Sequence, residues 1–374
     1  MHMTPLRRAF ILTTLISLAV LPLHGAIPTA RAASTYTVTT NTDSGTGSFR
    51  DALQNVIAAG GGIITFNAEL PTIVLTTNLP VITVDMIIQA NGATLQGSAE
   101  IRGLTITLGT VSIDRLTIRD GSCDKRCPFS ITGGGGIYIN DRALVTLSNS
   151  TLYNNSAKGY NGGGVYNRGT LTLINSTLYS NVVYWGNGGG IYNDTGLITL
   201  SGARLFGNVA ATGLDSDAVS GDVNIYTSGL VGVGGGIYNY RGSMLLNHST
   251  LVDNRAGFGG GIENSSMGIL TINNSTLTGN SGFEGGAIYN QGMLLISTST
   301  LSGNRGVING GGIENDGTTA ITSSVLANAA TGGNCRLWSG TLIMANQTIA
   351  DDATCSGNPI ITAIPAVTQE PTPK

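Results

Sequence analysis

Two glutamates occupy the same place in two copies of one hexapeptide: Glu263 in Gly-Gly-Gly-Ile-Glu-Asn at 259–264, and Glu314 in the same six residues at 310–315. A third copy, Gly-Gly-Ala-Ile-Tyr-Asn at 285–290, lies between them. If the copies stack as neighbouring strands, the two carboxylates stand two strand spacings apart, ~9.6 Å at the backbone. That is near the upper end of the roughly 6.5–9.5 Å separation at which an acid and a base cleave a glycosidic bond with inversion. Two acids in an exposed column also arise without catalysis, so cleavage of polysaccharide is the alternative reading.

The same position in the other copies holds Tyr138, Tyr166, Tyr192, Tyr238 and Tyr289. Loops returning to it carry Tyr160, Tyr184 and Trp185. An aromatic stripe of this kind offers large contact area with a polar handle, suited to sugar rings or to a protein partner. Tyrosine also suits exposed strand positions and stacks on its own neighbours. A calcium-dependent lyase would want clustered acids beside an Arg or Lys base. The one acid cluster, Asp215, Asp217 and Asp222, fits no calcium loop. Four cysteines without histidine partners at zinc-like spacing argue against a metal site. No cofactor or metal is expected.

What positions these side chains is a repeat. Copies of the hexapeptide start at 134, 162, 188, 234, 259, 285 and 310, so the steps are 28, 26, 46, 25, 26 and 25 residues. A period near 25 with one long insertion signals a solenoid. Each copy is followed by a short apolar run such as Leu-Thr-Leu at 171–173, and then by Asn-Ser-Thr-Leu-Tyr-Ser-Asn at 175–181. Three short runs per period, too brief and too rich in Gly, Thr and Ser for helices, predict a right-handed parallel β-helix with three strands per coil. Alternation then points Ile191 inward, Tyr192 outward and Asn193 inward. The inward slot also holds Asn167, Asn239, Asn264, Asn290 and Asn315, predicting a ladder of stacked amides. A change of parity before the third run predicts a left-handed bend at Asn149, Asn175, Gly202, His248, Asn274, Thr298 and Thr322.

The GGxI motifs followed by apolar-x-x-Asn runs resemble the repeat of the polymorphic outer-membrane protein family over about 200 residues. The closest copy is GGAIYN at 285–290, and Leu152, Leu178, Leu205, Leu251, Leu277 and Leu301 stand where the family usually has Phe. The resemblance implies a right-handed β-helix, a cell-surface or outer-membrane location and adhesion to a glycan or protein ligand. The stretch GSFRDAL at 47–53 is similar to the segment that opens many secreted β-helix proteins. The motif set usual in hydrolases of this fold is not assembled: NTD at 41–43 and DD at 351–352 fall at opposite ends, and GHG and RIK are absent.

In order along the chain, residues 1–32 read as a signal peptide: Arg7 and Arg8, an apolar run from Ala9 to Leu23, and Ala30-Arg31-Ala32 before the cleavage point. Its removal takes the formal charge from −3 to −6, a surface that does not invite nucleic acid. No apolar segment long enough to span a bilayer remains after it, and export is expected. Residues 33–133 form the N-terminal cap and irregular early coils, with an amphipathic capping helix that begins after Ser48 and ends at Gly60. Residues 134–332 are the glycine-rich coils. In an exported chain, the four cysteines suggest disulfides, with Cys123–Cys127 and Cys335–Cys355 favoured because each pair is local. The second pair bounds a C-terminal cap at 333–358, and 359–374 is a Pro and Thr tail. Outward Thr151, Thr177, Thr250 and Thr276 form a flat threonine column that Arg204 interrupts, which weakens an ice-binding reading.

Overall fold

A computed structural model describes residues 34–68, 70–98, 100–124, 133–211, 232–327, 329–345 and 348–355. The expectations for the signal peptide, for Cys127, for Asp215, Asp217 and Asp222, and for the tail lie outside these residues.

The chain winds as a parallel β-solenoid of about 11 turns. Every strand pairs in parallel with its equivalent one turn on, so Val165, Ile191, Ile237, Ile262, Ile288 and Ile313 stack in register. The 46-residue step is one coil: Ile191 pairs directly with Ile237, and the strand Val209–Ala211 leaves the coil that the chain rejoins at Gly232. Three sheets line the tube, divided differently from the three sequence runs. The hexapeptide strand (Ile191–Asn193) and the next run (Leu197–Ser201) belong to one 19-stranded sheet, and the third run (Arg204–Phe206) to an 11-stranded sheet. The remaining sheet comes from short segments after the third run, such as Ser156–Lys158 and Val182–Tyr184. Eight strands of the 11-stranded sheet follow Gly133 and three precede it. The helix Phe49–Ala58 lies between the first strand, Thr35–Val38, and its parallel partner Gly62–Phe66, in place of the first coil's other sides.

Three polar columns run inside the tube beside the leucines and isoleucines. Asn167, Asn193, Asn239, Asn264 and Asn290 each donate from Nδ2 to Oδ1 of the asparagine one coil on, all at 2.8 Å, ending at Asn315. The second hydrogen of each amide goes to a carbonyl at the corner of its own coil, such as Gly196 for Asn193. That corner must be glycine: a Cβ at Gly196 would lie 2.3 Å from Asn167 Nδ2. A second ladder, not read from the sequence, joins Asn155, Asn181, Asn208, Asn254, Asn280 and Asn304 at 2.9–3.0 Å. In a third, the backbone N–H of Ser150, Ser249, Ser275 and Ser299 donates to the serine Oγ of the next coil at 3.1 Å. These bonds satisfy polar groups that burial would otherwise penalise by about 1–3 kcal/mol each.

The parity change comes from left-handed residues at Asn149, Asn175, Gly202, His248, Asn274 and Thr298. The expectation for Thr322 is corrected: Thr322 ends the strand Thr318–Thr322, level with Ser297, and the bend falls on Ser323 at φ 47°. Arg115, at φ 53°, extends the bend into the early coils.

Both ends are pinned. The Ser48 hydroxyl accepts from Asp51 N, and Phe49, Leu53 and Val56 bury against Val38, Ile64 and Phe66. The Asp43 carboxylate of the NTD segment accepts from Arg50 at 2.6 Å and from Thr76, tying the entry loop to the next coil. At the far end Cys335 and Cys355 are disulfide-bonded, and Asp352 accepts from Asn334 N at 2.9 Å.

Candidate functional site

The outward column of the hexapeptide strand reads Thr105, Tyr138, Tyr166, Tyr192, Tyr238, Glu263, Tyr289, Glu314 and Arg336, each paired with the next. The strands hold these side chains a strand spacing apart because the glycine run before the hexapeptide members lets successive coils nest. Gly190 shows why: a Cβ there would lie 2.5 Å from the carbonyl oxygen of Gly236.

The column is not the exposed stripe expected from alternation. Tyr138 and Tyr192 are buried, and Tyr166, Tyr238 and Tyr289 are half-buried. Glu263 and Glu314 retain only 6% and 1% of their surface. The rings cover one another and are covered by the chain arriving from the third sheet. Tyr138 stacks on Tyr166 at 5.4 Å and Tyr166 on Tyr192 at 5.0 Å, while Tyr192 meets Tyr238 edge-on. Gly133 lies so close to the Tyr166 ring that a Cβ would touch it, and Phe258 packs edge-on against Tyr289. Below the first ring the buried Arg102 guanidinium sits 5.3 Å from the Tyr138 centroid and donates to the Gly133 and Gly134 carbonyls.

Residues at the adjoining corner complete the surface. Tyr166 Oη donates to Asp194 Oδ2 at 2.9 Å, Tyr289 Oη donates to Asp316 Oδ2 at 2.7 Å, and Arg168 pairs with Asp194 at 3.5 Å. Tyr240 stacks on Tyr192 at 6.2 Å and lies 5.8 Å from Tyr238. Reading the residue after each ladder asparagine across the copies would have found Tyr240, Asp194 and Asp316. Tyr184 and Trp185 are placed on the third sheet and the turn after it, at the corner leading into the column, with Trp185 exposed. The sequence reading also missed a stack on the 11-stranded sheet: Tyr153, Tyr179 and Phe206, with centroids 4.8 Å apart and nearly parallel planes.

Burial sets the electrostatics. It raises the phenols of Tyr166, Tyr192, Tyr238 and Tyr289, with Asp194 adding to the first two, so these four hydroxyls stay neutral. Desolvation pushes the Glu263 carboxyl up to about 8. Desolvation also pushes Glu314 up to about 7 against the pull of Arg336, whose Nε lies 3.7 Å away. One oxygen on each, Glu263 Oε2 and Glu314 Oε2, is buried without a hydrogen-bond partner. Glu263 is thus a neutral acid near pH 7 and Glu314 a group balanced between its two forms, with Tyr289 on the rung between them.

Among the described residues no group of three or more His, Cys, Asp and Glu side chains is placed to hold a metal ion, and no helix is long and apolar enough to cross a membrane. The Thr117, Thr151, Thr177, Thr250, Thr276 and Thr300 column is in register and is interrupted by Arg204, whose guanidinium lies over Phe206. No family model matches the chain, and no curated protein matches it.

Proposed function

We propose that this protein is an exported, non-catalytic solenoid that binds a glycan or protein ligand at a cell surface or in the extracellular medium. Tyr166, Tyr238 and Tyr289 would line the ligand surface over the buried Tyr192 that supports them, with Tyr184 and Trp185 at its rim. The observation that carries the reading is the order already imposed on those rings. Tyr166 and Tyr289 are held by Asp194 and Asp316, and Tyr192 is clamped between Tyr166, Tyr238 and Tyr240. A ligand meeting such a surface pays little of the ~0.5–1.5 kcal/mol that immobilising each free side chain costs. The resemblance of the GGxI repeats to the polymorphic outer-membrane protein family supports adhesion as the purpose. A glycan array and a cell-binding assay test it: replacing Tyr166, Tyr192 and Tyr238 together by Ser removes the signal, and an unchanged signal refutes the assignment.

A second reading, an inverting glycoside hydrolase, is favoured by one observation. Glu263 and Glu314 are desolvated carboxyls on one column, each with an unpartnered oxygen. Glu263 would serve as the acid and Glu314, beside Arg336, as the base. Reducing-sugar release from pectins, alginates and glucans, lost in Glu263→Gln, would replace the binding reading; silence across the panel retires the hydrolase.

A further inference from the structure

The second strand of each coil turns a different face outward. From the coil of Leu144 to the coil of Ala345 it presents three side chains per coil over eight coils, and none of them is charged. Among them Leu197, Ile269, Met293, Leu295 and Ile343 are exposed. Monomeric surfaces rarely keep a contiguous stripe of this kind without a partner.

The last four of these coils carry large and small side chains in a particular order. Met293 and Leu295 share one coil, and Thr318 and Ala320 fill the same two positions on the next. One coil outward on either side the pattern inverts: Ile269 and Thr271 on one, Thr341 and Ile343 on the other. A two-fold axis parallel to the strands, midway between the Met293 and Thr318 coils, reverses coil order and keeps position along the strand. It sets Met293 against Thr318 and Leu295 against Ala320 of a second copy, and likewise Ile269 against Thr341 and Ile343 against Thr271. Every pair joins a large side chain to a small one. The same axis brings Met267, at the corner before Ile269, to Trp338, at the corner before Thr341. These two are the most exposed large apolar side chains among the described residues, at 60% and 70%. A thioether against an indole is itself a favourable contact.

We propose that this face docks a second copy of this chain, the two solenoids running antiparallel about that axis. One isologous contact makes every pairing twice. Four coils at ~4.8 Å by a five-residue strand, with the corners, amount to roughly 400 Å² per partner. A standard stable interface buries about 800 Å² per partner, so the dimer is weak and forms reversibly at high concentration. The chain's negative net charge is kept off this face, which removes one barrier to self-association.

Sedimentation equilibrium over rising protein concentration tests this. The unaltered chain is expected to show a reversible monomer–dimer equilibrium. Leu295→Lys buries a charge against Ala320 of the second copy and weakens the dimer about tenfold or more. Ile269→Lys weakens it likewise, and adding Thr341→Glu to Ile269→Lys restores it, because those two positions stand three coils apart within one chain and their new charges meet only across the axis. Thr177→Lys, on the 11-stranded sheet, leaves it unchanged, and unfolding curves of all variants verify their folding. The proposal is overturned by an unaltered chain that stays monomeric to its solubility limit, by a dimer indifferent to Leu295→Lys, or by failure of the double variant to recover. It is also overturned if only a chain ended after Gly357 dimerises, which would give the face to the C-terminal residues instead.

Discussion

Asn167 and Ile139 occupy the same inward slot on neighbouring coils, and their junction leaves Asn167 Oδ1 as a buried acceptor with no donor. The ladder donates in one direction, so its first oxygen faces an isoleucine. The second ladder avoids this end effect because Gly121 N donates to Asn155 Oδ1 at 2.9 Å.

That asymmetry makes a stability prediction. Asn167→Leu moves the orphan acceptor to Asn193 and leaves their number unchanged. Asn239→Leu removes the donor to Asn264 Oδ1 and the acceptor of Asn193 Nδ2, adding an orphan acceptor and an orphan N–H. Leucine itself is accommodated in the slot, as Leu337 is at the far end. Asn239→Leu is therefore expected to be more destabilising than Asn167→Leu by about 1–3 kcal/mol, read from urea unfolding midpoints. Equal losses would mean the inter-amide bonds contribute nothing directional.

The glycine motif predicts a contrast between two alanine substitutions. Gly190→Ala would put a methyl 2.5 Å from the Gly236 carbonyl and so force two coils apart. Gly207→Ala meets no atom within 4 Å and is disfavoured only by its φ of 58°, worth about 1–2 kcal/mol. Thermal unfolding should show a far larger drop for Gly190→Ala.

Glu263 gives the pH dependence. Its carboxyl is raised from 4.5 to about 8 by desolvation, so between those values the folded chain holds a proton that the unfolded chain releases. Stability is fully present below the unfolded value and falls as pH climbs toward the folded one, at up to about 1.4 kcal/mol per pH unit for one such group. Glu263→Gln is expected to flatten this slope and raise the melting temperature at pH 8 far more than at pH 4. A variant with the parental pH profile would place the proton elsewhere.

The solenoid was legible because its repeat is written in residues that have few alternatives. Triple glycines report coil-to-coil approach, the inward asparagines report stacked amides, and the bend residues report left-handed backbone. Thr322 failed as a bend because threonine and serine adjoin there and only the register against Ser297 separates them. The burial of Glu263 and Glu314 was not legible, since strand alternation gives the direction of a side chain and says nothing of the chain that later passes over it. The second asparagine ladder was visible in the letters of each third run, but its inward direction depends on two consecutive bends, at Asn149 and Asn154 in one coil, that the period alone does not place.

The measurement that bears most directly on the central claim is ligand binding by two matched variants, using immobilised glycans and intact cells. One replaces Tyr166, Tyr192 and Tyr238 by Ser; the other replaces Tyr153 and Tyr179, a comparable stack on the 11-stranded sheet, by Ser. Binding through the tyrosine column predicts at least about a tenfold loss in the first, more than 1.4 kcal/mol, with the second close to the unaltered protein. Equal binding by both, or an equal loss in both, would contradict it.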